Sequence, residues 1–313
     1  MPAIPTIALD FKDDAMHRTV FYERFLAAVA RSPSFVEDPD HADLIFPAED
    51  TAVETNWPRY GLGETAYVRG KFDPKIHLAY LRRLTQVRRP LCVINMHPGI
   101  RLPTALQANA SILVADINLR AFERTFNPRT VSMPALPIGI ARNPGPARTL
   151  VASFRGVSSH PVRQRLAEIA DGKRIVVELV DRLNHVGKLD AEKKQSDPAY
   201  LALLESSSFA FVPRGDAEFS YRLLEVMSAG CIPVVLADGL VLPFDRTIDW
   251  STCSLHVSES KVLELPAMLA GIPPAQISDM QANAAKVYAT VFSSLEAILA
   301  QLLTEAAIIL ART

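Results

Sequence analysis

The clearest signal of the fold lies in residues 209–250, FAFVPRGDAEFSYRLLEVMSAGCIPVVLADGLVLPFDRTIDW. Its apolar run Phe209–Val212 predicts a buried strand, Phe219–Ala229 has a helical pattern, and Cys231–Leu236 predicts a second buried strand. Gly230 lies where helices commonly end in the left-handed conformation that glycine tolerates. A strand, a helix and a second strand in succession are typical of a parallel sheet covered by helices.

Polar side chains collect where the first of these strands passes into the helix. Arg214, Gly215, Ser220 and Arg222 lie in the loop and the first predicted helical turn. Helix N-terminal amides, a hydroxyl and guanidinium groups together suit a diphosphate. Glu225 shares a helix face with Arg222, and a carboxylate there can accept hydrogen bonds from ribose hydroxyls. The alternatives are a surface ion pair between Arg222 and Glu225 and a simple helix cap at Ser220.

Strands and helices also alternate outside this segment. Helical patterns occupy His17–Ala30, with Asp13 and Asp14 as candidate caps and Ser32-Pro33 as a stop, and Ala199–Glu205 behind Asp197-Pro198. The further apolar runs of strand length are Pro5–Leu9, Leu44–Phe46, Leu91–Asn95, Ser111–Ala115, Leu150–Phe154 and Arg174–Val180. This alternation predicts a doubly wound α/β architecture.

Length and composition indicate two domains in a folded chain. The 313 residues are 49% hydrophobic and 21% charged, and about 150 residues form one domain on average. Residues 133–148, MPALPIGIARNPGPAR, contain four prolines and predict a linker. We therefore expect Rossmann-like domains at 1–140 and 150–290 with a ligand cleft between them, and a C-terminal helix at 291–313 that packs back toward the first domain.

Charge, cysteine content and hydropathy exclude several classes of protein. Lys and Arg number 33 against 34 Asp and Glu, so binding of nucleic acid by bulk charge is not expected. Cys92, Cys231 and Cys253 form no C-x-x-C pair, which argues against a disulfide framework and a cysteine zinc site and favours a reducing cytosol. The N-terminus has no secretory pattern, and Glu296 and Glu305 interrupt the most apolar stretch, so neither a signal peptide nor a spanning helix is expected.

One amphipathic segment suggests contact with a membrane surface. Residues 75–89 place Ile76, Tyr80, Leu84 and Val87 on one stripe, with arginines largely elsewhere. Such a helix could rest on an anionic membrane, and a solvated helix face is the alternative. We expect a cytoplasmic protein, peripheral at the inner face of the membrane if this stripe is used.

The segment 209–250 also resembles the sequence pattern of the exostosin family, the family 47 glycosyltransferases. The resemblance is carried by P-R-G at 213–215, S-Y-R-L-L-E at 220–225 and A-G-C-I-P-V-V-L at 229–236, followed by L-P-F and I-D-W. Further similar stretches are FVEDPDHADLIFP at 35–47, VINMHPG at 93–99, F-R-G at 154–156 with Arg163, residues 200–213, and VFSS at 291–294.

The resemblance implies a GT-B fold, in which two Rossmann-like domains with parallel sheets face each other across a cleft, and an inverting, metal-independent transfer. By position in the motifs, the donor UDP-sugar would contact Arg155, Gly156, Arg214, Gly215, Ser220, Arg222 and Glu225. No metal cofactor is expected, because Asp38-Pro39-Asp40, the D-x-D spacing considered, lies in a proline-containing loop. Animal exostosins carry a membrane anchor and a second catalytic domain, so this chain is expected to be a compact, soluble bacterial or viral relative.

An inverting transfer needs a general base for the acceptor hydroxyl. His97 follows a predicted strand in N-M-H-P-G and has a suitable ordinary pKa. Glu49, in P-A-E-D, is the second candidate, and Asp10 follows the first strand. Pro243, Phe244 and Trp250 are expected to frame the last loop of the sheet, and Cys231 to belong to the core.

The expected partners are therefore a nucleotide-sugar donor and a saccharide acceptor, without nucleic acid. A catalytically inactive nucleotide-sugar-binding subunit of a partner transferase is the alternative from another class. A retaining transferase or phosphorylase on the same fold is a further alternative. A dinucleotide oxidoreductase is disfavoured, because no G-x-G-x-x-G follows the first strand.

Overall fold

The computed structural model describes residues 2–10, 18–48, 67–69, 79–80, 82–95, 112–135, 148–180 and 198–312. The chain divides into two compact units: unit 1 comprises Met1–Met133 with Ser294–Thr313, and unit 2 comprises Pro134–Ser293. Each unit has its own sheet of five strands that all pair in parallel. The predicted α/β class with two parallel sheets is confirmed.

The described chain contains the following strands and helices. The strands are β1 Ile7–Leu9, β2 Arg18–Thr19, β3 Leu44–Phe46, β4 Tyr67–Arg69, β5 Leu91–Asn95, β6 Ile112–Asp116, β7 Thr130–Ser132, β8 Leu150–Val157, β9 Ile175–Val180, β10 Ser207–Pro213, β11 Ile232–Leu236 and β12 Leu255–His256. The α-helices are α1 Val20–Arg31, α2 Ala121–Phe126, α3 Pro161–Glu168, α4 Pro198–Ser206, α5 Arg222–Ser228, α6 Leu265–Ala270, α7 Pro274–Val287 and α8 Leu295–Leu310.

The sheet of unit 1 has the strand order β1-β3-β5-β6-β7, and β2 and β4 form a separate antiparallel pair. Strands β3 and β5 are buried along their whole length, as expected for parallel strands covered on both faces. Helix α1 begins at Val20, so the predicted start at His17 is wrong: Arg18–Thr19 pairs with β4 instead. The helix ends at Arg31, before the predicted stop, and Arg31 lies 2.6 Å from Glu296 of α8.

The apolar stripe of segment 75–89 belongs to the core of unit 1. Tyr80 is 3% exposed and Leu84 is fully buried in a cluster with Leu91 and Val93, and Val87 packs against it. The described part of this stripe is therefore not available as a membrane-facing surface, and membrane contact through segment 75–89 stays a prediction. Residues 75–78 lie outside the described residues. No single described helix is long and apolar enough to span a membrane; only the broken pair 274–292 and 295–310, taken together, meets that criterion.

Unit 2 has the sheet order β9-β8-β10-β11-β12. The chain leaves β8 in one direction to form β9, then returns past β8 to form β10 and continues outward. This reversal is the mark of a doubly wound sheet. In the described strands of unit 1, by contrast, the order follows the chain. The core of unit 2 packs the sheet residues Phe209, Phe211 and Val234 against its helices.

Pro233 lies inside β11 although it has no N–H for the ladder. The Val235 carbonyl accepts from the Val257 N–H on the β12 side, whereas the Leu236 carbonyl accepts from the Arg214 N–H on the β10 side. Because successive residues of a strand direct their backbone polar groups to opposite neighbours, Pro233 faces β12, like Val235. The pairing with β12 begins one residue later, so Pro233 leaves no ladder acceptor without a donor.

The L-P-F and I-D-W motifs frame the end of the sheet, as predicted. Trp250 Nε1 donates to the Pro243 carbonyl at 2.8 Å. The Trp250 and Phe244 rings each stack on Phe292, with ring centroids 6.0 Å apart. Phe244 is fully buried with a positive φ of 52°, which holds the turn that brings these rings together. Cys231 is fully buried, as predicted for a core residue.

Candidate functional site

The carboxyl ends of β8 and β10 lie side by side at the point where the strand order of unit 2 reverses. In open α/β sheets, ligands bind outside the carboxyl ends of the strands at such a switch point. Arg155 and Gly156 lie in the last part of β8, and Arg214 and Gly215 follow β10. The sheet topology therefore brings together two motifs that are almost sixty residues apart in sequence.

Arg163 joins the ends of these two strands. This residue of α3 is 7% exposed, and its Nε donates to the Arg214 carbonyl at 2.8 Å. Its two terminal nitrogens donate to the carbonyls of Val157 at 2.9 Å and Pro213 at 3.3 Å. Burial, and next the charge of Arg222, lower the Arg163 pKa to about 10, so the side chain remains cationic at neutral pH. In the sequence Arg163 stands out because it follows F-R-G, but that position does not predict that it connects the ends of β8 and β10.

Arg222 is held over the end of β8. Its Nε donates to the Arg155 carbonyl at 3.1 Å, and Nη2 donates to the same oxygen. Its guanidinium carbon lies 5.0 Å from the centre of the Phe154 ring and 5.8 Å from that of Tyr200, within cation–π range. A Cβ on Gly156 would lie 2.4 Å from Arg222 Nη2. Gly156 therefore leaves the space that the guanidinium occupies.

Glu225 is a buried carboxylate, 2% exposed, on the first turn of α5. Its Oε2 accepts a hydrogen bond of 2.7 Å from the Tyr200 hydroxyl. Its Oε1 is buried and has no hydrogen-bond partner among the described residues. The alternative of a surface ion pair with Arg222 is wrong, since Glu225 is inside the protein and Arg222 donates to a carbonyl. An unsatisfied buried carboxylate oxygen costs free energy until a donor reaches it.

The loop after β10 places the other predicted donor residues. Arg214 Nη1 donates to Glu218 Oε1 at 2.6 Å and lies 4.0 Å from Glu259 Oε1, so acidic side chains already surround it. Gly215 is buried, and a Cβ there would lie 3.1 Å from Arg163 Nη2. Ser220 Oγ accepts a long bond, 3.4 Å, from the Arg222 N–H.

Helix α5 begins at Arg222, so the predicted start at Phe219 is wrong by three residues. The Phe219 and Tyr221 rings pack edge to face, 5.1 Å apart, within the loop instead. Arg155 Nη1 pairs with Glu178 of β9, a partner that the sequence did not suggest. Arg155 and Arg222 are thus brought together through one carbonyl, whereas Arg214 is engaged by Glu218.

The two predicted bases, His97 and Glu49, lie outside the described residues. Asp10 is buried at the end of β1, where its Oδ1 accepts from the Tyr80 hydroxyl at 2.6 Å and from the Ala48 N–H at 2.9 Å. These bonds tie β1 to the segment that follows β3. Asp10 thereby has a structural role in unit 1.

Asp116, at the carboxyl end of β6, was not among the sequence candidates. Its Oδ2 accepts from Asn95 Nδ2 at 2.9 Å and its Oδ1 from the Asn118 N–H at 2.7 Å. Burial raises the Asp116 pKa to about 6 against the effect of these two bonds. The available sequence signal was an acid directly at the end of a predicted strand.

The D-x-D spacing at Asp38 builds a turn. Asp38 Oδ1 accepts from the Asp40 N–H at 2.9 Å, and its Oδ2 lies 2.9 Å from His41 Nδ1. The residue thus caps the short 3-10 turn Pro39–His41. Across the described ranges, no three His, Cys, Asp or Glu side chains are grouped so that they could hold a metal ion.

Several solved structures have a distantly similar backbone. Anabaena HepE, solved in complex with UDP, is 13% identical with a TM-score of 0.45, over 96% of this chain and 99% of that one. A glycosyltransferase from Rickettsia africae is 11% identical with a TM-score of 0.45, over 98% of both chains. Similarity at this level carries no information on function.

The sequence comparisons identify the family. Exostosin-2 of Mus musculus is 32% identical over 295 residues, which are 88% of this chain and 39% of that protein. The exostosin-1 homolog of Caenorhabditis elegans is 36% identical over 99 residues, 32% of this chain and 26% of its own length. The chain thus spans between about a quarter and two fifths of these relatives. The model of the exostosin GT47 domain matches residues 106–272, slightly more than half of the chain, and this protein therefore belongs to the exostosin GT47 family of glycosyltransferases.

Proposed function

We propose that this chain transfers a sugar from a UDP-sugar to a hydroxyl of a saccharide acceptor, with inversion at the anomeric carbon and without a metal ion. The observation that carries the proposal is the buried Oε1 of Glu225, which has no hydrogen-bond partner in the part of the chain that the structure describes and lies at the switch point of the unit 2 sheet. Membership of a glycosyltransferase family supports the reaction class.

In this proposal Glu225 binds the ribose of the nucleotide and Arg222 binds its diphosphate. Ribose hydroxyls donate to Glu225 Oε1, which satisfies the buried carboxylate. Arg222 has five side-chain N–H donors and, within the described ranges, uses two on the Arg155 carbonyl, so three are available for the diphosphate. Arg155, 27% exposed and paired with Glu178, adds a second guanidinium beside the same strand end. Guanidinium groups suit phosphate oxygens because they donate in a planar fork.

The transfer is a direct displacement. The acceptor oxygen forms a bond to the anomeric carbon while the bond from that carbon to the phosphate oxygen breaks, and UDP leaves with the electron pair. The proton of the acceptor hydroxyl passes to a general base, for which His97 and Glu49 are the candidates. Arg222 and Arg155 stabilise the negative charge that develops on the leaving diphosphate, a role that the ion would have in a metal-dependent transferase.

Calorimetric titration of the full chain without added metal tests this proposal. UDP, GDP, dTDP and CMP are compared on the wild type, Glu225→Ala, His97→Ala and, as a control for loss of an acid, Glu264→Ala, an exposed residue of the same unit. We expect wild type, His97→Ala and Glu264→Ala to bind UDP alike and Glu225→Ala to lose binding. His97→Ala should also lose turnover with a UDP-sugar panel if it is the base.

Two other outcomes would change the conclusion. Failure of all four nucleotides to bind the wild type would refute the proposal. UDP binding with no turnover of any donor and acceptor pair would instead identify a non-catalytic nucleotide-sugar-binding subunit. The anomeric configuration of the product, followed by NMR, separates an inverting from a retaining transfer.

A further inference from the structure

Tyr200 connects two helices at the switch point through a buried hydrogen bond. It lies in the first turn of α4 and is 9% exposed. Its hydroxyl donates to Oε2 of Glu225 in α5, at 2.7 Å. Burial, and next the charge of Glu225, raise the Tyr200 pKa well above its ordinary value, so the hydroxyl remains a donor throughout the neutral range.

This bond fixes the direction of the Glu225 carboxylate. With Oε2 held by Tyr200, Oε1 has no donor among the described side chains and backbone groups. Arg222, three residues earlier on the same helix, does not close this gap, because its guanidinium donates to the Arg155 carbonyl and lies over two aromatic rings. One of those rings belongs to Tyr200 itself, 5.8 Å away. Tyr200 therefore keeps the acid and the guanidinium apart while holding both in place.

We propose that Tyr200 is a positioning residue that orients Glu225 toward the hydroxyls of a ribose and thereby makes the site select ribonucleotides over 2′-deoxyribonucleotides. This inference rests on the proposed function, in which Glu225 receives the ribose. Beyond that function, it assigns a role to Tyr200 and names 2′-deoxyribonucleotides as ligands that the site rejects.

The selectivity follows from the unpartnered oxygen. A ribose offers adjacent 2′ and 3′ hydroxyl donors, whereas a 2′-deoxyribose offers only the 3′ hydroxyl. A carboxylate oxygen can accept two hydrogen bonds, so both ribose hydroxyls can donate to Oε1, whereas the 3′ hydroxyl of a 2′-deoxyribose leaves one buried acceptor position unsatisfied, at a cost in binding free energy. Without the Tyr200 hydroxyl the carboxylate can turn, so Oε1 is no longer fixed where both ribose hydroxyls reach it. The 2′ hydroxyl then contributes less to the binding free energy, and the preference for ribose falls.

The test compares the Kd of UDP with the Kd of 2′-deoxyuridine diphosphate by calorimetry. The proteins are the wild type, Tyr200→Phe, which keeps the ring under Arg222, and Tyr288→Phe as a matched control. Tyr288 is a half-buried tyrosine of the same unit whose hydroxyl bonds Ser228 at the other end of α5. We expect the wild type and Tyr288→Phe to prefer UDP by about tenfold or more, and Tyr200→Phe to reduce this ratio to about twofold.

A second variant keeps the test informative if Tyr200→Phe folds poorly. Glu225→Gln retains the shape of the side chain but removes the charge that Tyr200 orients, so it should lower the same ratio without a change at Tyr200. An unaltered ratio in folded Tyr200→Phe, or in Glu225→Gln, overturns the inference while UDP binding by the wild type preserves the proposed function. A wild type that binds both ligands equally also overturns the inference, and one that binds neither refutes both.

Discussion

Gly156→Ala should displace Arg222 without unfolding unit 2. The added Cβ would lie 2.4 Å from Nη2 and 2.9 Å from Cζ of Arg222, and 3.0 Å from Cζ of Phe154. Ordinary contact requires about 3.5 Å, so the guanidinium must move by roughly 1 Å. The end of an arginine side chain can make this movement, whereas the backbone of β8 cannot. Gly156 does not have a positive φ, so alanine is compatible with the strand.

The expected magnitudes follow from the contacts that Arg222 loses. Two N–H donations to the Arg155 carbonyl and the contact with the Phe154 ring are disrupted. A hydrogen bond from a charged donor contributes about 1.5–3 kcal/mol, but the displaced guanidinium can reach water, and alanine restricts the unfolded chain. We expect a loss of about 1–2 kcal/mol in the free energy of unfolding. UDP affinity should fall by about tenfold or more, because the displaced Arg222 would leave the diphosphate site that we propose for it.

Urea unfolding and calorimetric titration with UDP measure these two effects. Gly271→Ala is the matched control, because its Cβ would make only ordinary contacts of 3.5 Å and its φ of −79° suits alanine. In an Arg222→Gln background, Gly156→Ala should have little further effect on affinity. An affinity for UDP within twofold of the wild type, in a folded Gly156→Ala protein, would refute the role of Gly156 as the space for Arg222.

Two further predictions concern stability. Burial raises the pKa of Asp116 from 3.8 to about 6, so the native state loses stability as the pH rises through that window. Asp116→Asn removes this titration and should therefore raise the free energy of unfolding at pH 7.5 by at most about 3 kcal/mol. Urea midpoints should show this gain disappearing near pH 4, and an equal gain at both pH values would contradict the reasoning. Arg163→Lys should lower the free energy of unfolding in urea by about 2–4 kcal/mol, since an ammonium cannot reach the three carbonyls that Arg163 binds. Arg165→Lys on the same helix should lower it by less than about 1 kcal/mol, and similar losses in both variants would contradict this role of Arg163.

The strands whose apolar runs are bounded by polar residues or proline could be predicted from the sequence. The four strands of two or three residues that lack such a run, β2, β4, β7 and β12, were missed. Leu44–Phe46 and Leu91–Asn95 have the predicted bounds, and both are wholly buried. Helix starts were less predictable. Two segments with helix-compatible patterns are not helical. Arg18–Thr19 pairs with β4, and the Phe219 and Tyr221 rings pack on each other in a loop.

The sequence also indicated which residues belong to the candidate site, but it did not indicate which residues they contact. The motif placed Arg222 and Glu225 on one helix face, which left a surface ion pair as an open alternative. Burial of Glu225 and its bond to Tyr200, 25 residues away, exclude that pair. Arg163 acts on a carbonyl 51 residues along the chain. Contacts at such separations depend on how helices pack on the sheet, which local patterns do not encode.

The alternation of strands and helices, the family and the chemical groups near the end of β10 could all be inferred from the amino-acid sequence, since periodicity, capping residues and motif spacing are local properties. The strand order β9-β8-β10-β11-β12, and with it the switch point at which Gly156 meets Arg222, depends on long-range packing and is visible only in the folded chain. Strand order is set by the burial of whole elements against one another, because each apolar face must find a partner of matching shape. The same packing assigned the stripe containing Tyr80 and Leu84 to the core of unit 1.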